Sequence, residues 1–237
     1  MTAAAVDVPF TVADRAVYLP SAETLVVADV HLGRAATSSV DAPIEDGSDA
    51  VSRLEGLLER FSPGTVAIAG DLLHSFSRVP RGVEETVADL VAATDAAGAA
   101  LVVTPGNHDA MLEGVYDGET AAEYRLEDGE TVVLHGHEAP TVAADRYVVG
   151  HDHPSLSVDG RKLPCLLYGP GTYDGADVVV LPAFTRLAPG STVNGMRSGD
   201  FQTPLVTDAD AFYPAVRDVT GDETLWFPPL GECRQLL

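Results

Sequence analysis

Residues 24–31 read Thr-Leu-Val-Val-Ala-Asp-Val-His, an apolar run that leads directly into two side chains, Asp29 and His31, able to bind a divalent metal ion. A run of aliphatic and β-branched residues of this length favours a buried strand. The two polar residues are two positions apart, so their side chains can point to the same face and reach one cation. The stretch therefore predicts a strand with a metal-binding end.

The same pattern recurs four more times along the chain. Further strands are predicted at residues 65–69, 101–104, 131–134 and 147–149. The residues that follow these strands are Gly70-Asp71, Gly106-Asn107-His108-Asp109, His135-Gly136-His137 and Gly150-His151-Asp152-His153. Ligand sites of α/β folds lie where the strands of a sheet end, so the five blocks predict one functional site.

Two helices are predicted between the early strands. Residues 49–60 and 83–97 carry apolar side chains at helical spacing, the first with Ser48 or Asp49 as its expected N-cap and the second ending at Gly98. Strand–helix–strand alternation implies parallel βαβ units.

The second half of the chain has a different character. Short strands are separated there by Asp-Gly turns at residues 128–129, 159–160 and 174–175. We therefore expect an α/β fold of two sheets with helices on their outer faces. No internal repeat or linker is evident, so residues 1–237 are expected to form a single domain.

The composition favours a cytoplasmic protein of an organism that keeps a high salt concentration in its cytoplasm. The formal charge is −22, from 36 acidic and 14 basic residues, and the acidic residues are scattered rather than gathered in a tail. Acidic, lysine-poor chains are typical of organisms with molar cytoplasmic salt, where the Debye length is about 3 Å and repulsion of a polyanion is largely screened. Neither a membrane-spanning run nor a secretory signal is evident, and the two cysteines lack metal-ligand spacing.

The polar residues of the five blocks form a mixed nitrogen and oxygen donor set. The carboxylate of Asp71 has two oxygens and can bridge two metals about 3.5–4 Å apart. Without cysteine, such a set favours Mn²⁺, Fe²⁺ or Zn²⁺ over a structural zinc site. Each block alone has a simpler explanation: a turn, a helix cap or an exposed strand. All five together, each after a strand, favour a metal centre.

The ordered series Asp-x-His, Gly-Asp, Gly-Asn-His-Asp, His-Gly-His and Gly-His-x-His resembles the calcineurin-like metallophosphoesterases over residues 25–181. The resemblance implies a four-layer α/β/β/α sandwich of two mixed sheets with a dinuclear metal centre at the strand ends. It leaves residues 182–237 as a C-terminal extension. The blocks around Asp29 and Asp71, including His74 and Ser75, look like the SbcD-related branch, which contains repair-associated nucleases.

The resemblance also implies a role for each site residue. Asp29, His31 and His153 would bind one metal, Asn107, His135 and His151 the other, and Asp71 would bridge them. His108 would act as general acid or stabilise the transition state, oriented by Asp109. His137, His74 and Arg34 are weaker candidates for substrate binding, and surface or packing roles remain open for them.

The implied reaction is hydrolysis of a phosphodiester by metal-activated hydroxide, with two divalent ions, Mn²⁺ first, as cofactors. A nucleic acid or a nucleotide is the expected substrate. A small-molecule phosphomonoesterase or pyrophosphatase is the alternative, and a non-catalytic metal-binding scaffold is a third. The presence of His108 beside the ligand set favours an enzyme, because a scaffold needs no general acid.

Overall fold

The computed structural model describes residues 6–34, 46–74, 78–218 and 222–234 of the chain, so the motif residue Ser75 lies outside the described residues. In chain order the strands are β1 (Thr11–Ala13), β2 (Ala16–Leu19), β3 (Thr24–Ala28), β4 (Thr65–Ala69), β5 (Ala100–Thr104), β6 (Glu119–Thr120), β7 (Glu123–Arg125), β8 (Thr131–Leu134), β9 (Arg146–Val149), β10 (Pro154–Val158), β11 (Arg161–Pro164), β12 (Leu166–Tyr173), β13 (Ala176–Val180), β14 (Ser191–Thr192), β15 (Tyr213–Asp218) and β16 (Glu223–Trp226). The α-helices are α1 (Asp46–Phe61), α2 (Val83–Ala96) and α3 (Leu230–Cys233).

The first sheet has the order β1-β2-β3-β4-β5-β6, and β3, β4 and β5 run parallel. Their register aligns Ala28 with Ala69 and Ala69 with Thr104, so these three strands end level with one another. Both faces of the strands are buried, as the unbroken apolar runs predict for a parallel sheet. Helices α1 and α2 pack on one face through buried residues that include Leu54 and Val87.

The second sheet has the order β16-β15-β12-β13-β9-β8-β7 and is mixed, with β8, β9 and β13 parallel. Two of the predicted Asp-Gly turns close hairpins, one in this sheet, between β12 and β13, and one outside it, between β10 and β11. Asp174 and Gly175 have φ of 51° and 88° between β12 and β13, and Asp159 and Gly160 have φ of 50° and 74° between β10 and β11. Positive φ at both central positions is the type I′ geometry that matches strand twist.

The two sheets face one another across a shared apolar core. Val26 and Ala67 of the first sheet belong to the same buried cluster as Val133, Val148 and Val179 of the second. The outer side of the second sheet is covered by a small sheet of order β11-β10-β14, by α3 and by short helical turns. The predicted α/β sandwich of two mixed sheets is confirmed, with its long helices, among the described residues, on the first sheet.

Most element bounds agree with the prediction. β3, β4 and β8 have the predicted bounds, and β5 and β9 begin one residue earlier. The predicted N-cap of the first helix is wrong, because α1 begins at Asp46 and Ser48 and Asp49 lie in its first turn. Among the described residues, no helix is both long and apolar enough to cross a membrane.

Candidate metal centre

The residues predicted to bind metal meet where strands of both sheets end. Asp29 and His31 follow β3, Asp71 follows β4, and Asn107 lies three residues beyond β5. On the second sheet His135 follows β8, and His151 and His153 follow β9. The site therefore forms only when the two sheets pack face to face.

One set of donor atoms gathers around the Nε2 atom of His153. This atom lies 3.2 Å from His31 Nε2 and 3.3 Å from Asp29 Oδ1. Asp71 Oδ2 lies 3.9 Å from His31 Nε2. Metal–ligand bonds of about 2.0–2.2 Å separate neighbouring ligands by about 3–3.5 Å, so the three closest atoms are spaced for a shared cation.

A second set gathers around the Nε2 atom of His135. Asn107 Oδ1 lies 3.0 Å from it, His151 Nδ1 3.1 Å and Asp71 Oδ2 3.7 Å. The other ring nitrogen, Nδ1, lies 3.6 Å from Asp29 Oδ1. Asp29 is thus close to both sets. It faces Nδ1 of His135, whereas Asn107, His151 and Asp71 face Nε2.

Main-chain amides select which carboxylate oxygen faces each set. The amide of His151 donates to Asp29 Oδ2 at 2.9 Å, and the amide of His108 donates to Asp71 Oδ1 at 2.9 Å. The remaining oxygens, Asp29 Oδ1 and Asp71 Oδ2, point at the ring nitrogens. A single oxygen of Asp71, Oδ2, therefore approaches both donor sets.

Five of these residues have left-handed backbone conformations. Left-handed φ values occur at Asp29 (52°), His31 (50°), Asp71 (45°), His151 (69°) and His153 (47°). Each residue so held costs about 1–3 kcal/mol and persists only where the surroundings enforce it. Strain of this kind clusters at functional sites, which supports a common role for the five side chains.

Glycines let the loops approach the ligands closely. A Cβ atom on Gly70 would lie 1.9 Å from His135 Nδ1, and one on Gly106 would lie 2.2 Å from Asp71 Oδ1. The glycines of the Gly-Asp and Gly-Asn-His-Asp blocks are therefore needed for close approach of one loop to the next, beyond any turn they form.

Burial determines the charge of the site. It lowers the pKa of His31 to about 3 and that of His135 to about 4, which favours the neutral imidazole that binds metal. Burial, followed by the charge of Asp29, raises the pKa of Asp71 to about 8. Two buried carboxylates in such proximity are stabilised in their charged form by a cation between them. The donor set therefore fits divalent metal ions.

Comparison with known families agrees with this geometry. The family profile of calcineurin-like phosphoesterases matches residues 23–153, more than half of the chain. The chain belongs to the calcineurin-like phosphoesterase family. It is therefore a metal-dependent hydrolase of phosphoesters, from a family that typically binds two divalent metals, and the predicted family is confirmed.

The fold of this phosphoesterase is similar to that of a nuclease. The crystal structure of Pseudomonas putida nuclease MPE matches with 25% sequence identity and a TM-score of 0.63, covering 90% of this chain and 92% of that chain. A search of curated protein sequences found no match. At 90% coverage of this chain, the similarity reaches beyond residue 153, where the family profile ends.

His108 and His74 lie together at one side of the phosphoesterase site. His108 Nε2 is 4.0 Å from Asp71 Oδ2, and its side chain is 23% exposed. Its ring stacks on that of His74 with centroids 5.0 Å apart and an angle of 14° between the ring planes. His74 Nδ1 lies 3.3 Å from His31 Nδ1, so His74 belongs to the site rather than to a separate core.

Arg34 and His137 lie at the borders of the site. Burial, followed by the charge of Arg34, lowers the pKa of His74 to about 4. The exposed His137 ring lies 5.0 Å from the His135 ring and 6.1 Å from the His151 ring, measured between centroids. His137 is therefore beside the second donor set, and substrate binding by Arg34 stays a prediction.

Asp109 is tied to the main chain of two loops. Its carboxylate accepts hydrogen bonds from the amides of Leu73 at 2.8 Å, Gly106 at 2.9 Å and Leu72 at 3.2 Å. These bonds engage both oxygens, and the orientation of His108 by Asp109 stays a prediction. Asp109 joins the loop after β4 to the loop after β5 and so positions Asp71 and Asn107.

The sequence did not indicate the importance of Asp152. This residue stands between His151 and His153, is 2% exposed, and accepts hydrogen bonds from two main-chain amides about fifty positions away, at Gln202 and Thr203. The only signal in the sequence is its place between two histidines of one motif.

Proposed function

We propose that this protein is a dinuclear phosphodiesterase that cleaves nucleic acids or nucleotides, with Mn²⁺ as its native metal. The observation that carries the proposal is the pair of donor sets that share Asp71 Oδ2. The similarity to a chain named a nuclease supports a nucleic-acid substrate. A role in DNA repair, as in the SbcD-related branch, belongs to the same proposal.

We assign the metal ligands as the sequence predicted. Asp29, His31 and His153 would hold the first cation, Asn107, His135 and His151 would hold the second, and Asp71 would contact both. Fe²⁺ and Zn²⁺ suit the same donors, since imidazole and carboxylate bind all three ions. When bound, two such ions lower the pKa of a coordinated water and neutralise charge on the phosphoryl oxygens.

The remaining side chains act on the substrate. His108 is placed beside Asp71, partly exposed, where its Nε2 atom can donate a proton or a hydrogen bond to the departing oxygen. His74 stacks on the His108 ring and limits its orientation. Arg34 supplies positive charge for the phosphate on the same side, and His137 contacts the substrate from the exposed side of the second donor set.

The test is a comparison of diester and monoester hydrolysis with Mn²⁺ in molar KCl, which suits a chain of net charge −22. We expect turnover of bis-p-nitrophenyl phosphate to exceed that of p-nitrophenyl phosphate. We also expect cleavage of circular single-stranded DNA, which distinguishes a nuclease from an enzyme acting on nucleotides alone.

Each other outcome identifies a different function. Preferential hydrolysis of the monoester or of pyrophosphate would contradict the diesterase assignment. Tight Mn²⁺ binding without hydrolysis of any phosphoester would identify a metal-binding scaffold. Asp177→Asn is a suitable control, because Asp177 bonds Tyr168 and Gly171 in the second sheet and touches neither donor set.

A further inference from the structure

The segment around Gln202 and Thr203 contacts the loops that carry three of the proposed metal ligands, His135, His151 and His153. Asp152 Oδ1 accepts a hydrogen bond from the amide of Gln202 at 2.8 Å, and Oδ2 accepts one from the amide of Thr203 at 3.0 Å. The neighbouring His151 and His153 face the donor sets, so the loop directs alternate side chains to the metals and to this segment.

The same segment also touches the loop that carries His135. A Cβ atom on Gly136 would lie 3.3 Å from Thr203 Oγ1, which shows how closely the two pieces of chain approach. Phe201 and Leu205, on either side, are buried in one cluster with Val149 of β9. The segment is therefore held by its own apolar packing and provides fixed amide donors for Asp152.

Fixed donors matter because the loop is strained. His151 and His153 have φ of 69° and 47°, conformations that histidine adopts only when the surroundings enforce them. Asp152 lies between them, and both its oxygens are engaged by main chain 50 residues away. Released from these two bonds, the loop would relax and move two proposed ligands, one from each donor set.

We propose that Asp152 is a positioning residue for the metal centre, and that the segment around Gln202 and Thr203 sets the affinity of that centre for divalent metal. The inference rests on the metal ligands of the proposed function but not on its substrate. It makes part of the chain beyond the family profile, which ends at residue 153, a component of the metal site.

The first test measures Mn²⁺ binding by titration calorimetry for wild type, Asp152→Asn and Asp152→Ala. Groups that orient metal ligands contribute about 10–100-fold in metal affinity. Because Asp152 fixes the main chain that carries His151 and His153 through its bonds to Gln202 and Thr203, we expect Asp152→Ala to weaken binding at least about 10-fold. Asp152→Asn keeps one acceptor oxygen and is expected to lie between Asp152→Ala and wild type. Turnover should recover as Mn²⁺ is raised, because the ligands themselves are unchanged.

The matched control is Asp128→Asn. Asp128 accepts hydrogen bonds from the amides of Glu130 at 3.0 Å and Thr131 at 2.9 Å, in the turn before β8 and so at the far end of that strand from His135. This variant should lose stability but keep its Mn²⁺ affinity. If Asp152→Ala also lowers only the melting temperature and leaves the Mn²⁺ affinity unchanged, Asp152 is merely structural and the inference is overturned.

A second measurement uses the wild type alone, and so survives a variant that does not fold. Coupling between two sites is reciprocal, so Mn²⁺ should slow hydrogen exchange at the amides of Gln202 and Thr203. The amide of Thr131, bonded to Asp128, measures the slowing that comes from overall stabilisation by metal, and the slowing at Gln202 and Thr203 should exceed it. Exchange at Gln202 and Thr203 that slows no more than exchange at Thr131 in Mn²⁺-loaded protein would overturn the inference. If the wild type binds no Mn²⁺, both this inference and the proposed function are overturned. If it binds Mn²⁺ but hydrolyses no phosphoester, only the proposed function is overturned.

Discussion

Replacement of Gly70 by alanine tests how the two sheets combine to build the metal site. The new Cβ atom would lie 1.9 Å from His135 Nδ1, whereas unstrained heavy-atom contacts are about 3.5 Å or longer. The imidazole and the loop must therefore separate by about 1.5 Å. A shift of about 1 Å in a catalytic group costs about 100-fold in rate, so we expect kcat/KM to fall by at least about 100-fold.

The same substitution also places alanine at a φ of 79°, which costs stability wherever it occurs. Gly129→Ala isolates that cost, because Gly129 has a φ of 72° and nothing within 4 Å of its new Cβ atom. Both variants should lose about 1–2 kcal/mol of unfolding free energy from the backbone alone. Only Gly70→Ala should lose Mn²⁺ bound at the second donor set.

The assay is titration calorimetry with Mn²⁺ in molar KCl, followed by diester hydrolysis and thermal unfolding of both variants. Wild-type Mn²⁺ stoichiometry and turnover in Gly70→Ala would show that the position of His135 does not depend on close approach of the loop after β4. An equal loss of turnover in Gly129→Ala would show that the effect comes from general instability and not from the contact with His135.

Three further predictions concern the metals and the catalytic side chain. Asp71→Asn should bind fewer than two Mn²⁺ per chain and lose essentially all turnover, because the anionic Oδ2 faces both donor sets, and metal analysis of the purified variant measures this; two bound ions would contradict the bridging role. His108→Ala should keep both ions but lose about 10²–10⁴-fold in kcat, the usual contribution of a general acid, and wild-type turnover would exclude that role. Mn²⁺ at 100 times its Kd should stabilise the protein by about 2.7 kcal/mol, so chelation should lower the melting temperature, and a melting curve insensitive to chelator would contradict binding to the folded state.

Much of the fold was predictable because the strands that carry the site are unusually regular in sequence. β3 and β4 are unbroken apolar runs and are buried along nearly their whole length, so their bounds follow from hydrophobicity alone. The start of α1 was not predictable in this way. Its first turn, from Asp46 to Asp49, is polar, and the first buried apolar side chain of the helix is Ala50.

The candidate site was predictable as a set of residues but not as a geometry. The order of the motifs identified the candidate donors. The approach of His135 to Asp29 depends instead on how the two sheets pack face to face, which the sequence near either residue does not reveal. The left-handed conformations of His31 and His153 were equally hidden, because positive φ is uncommon even for histidine and does not follow from the local sequence. The contact of Asp152 with Gln202 spans 50 positions and leaves no local pattern.

The most direct test of the dinuclear site is anomalous diffraction from crystals grown with Mn²⁺. We expect two peaks about 3.5–4 Å apart with Asp71 Oδ2 between them, one beside His31 and His153 and the other beside His135 and His151. A single peak, or two peaks that do not share Asp71, would contradict a dinuclear site bridged by Asp71.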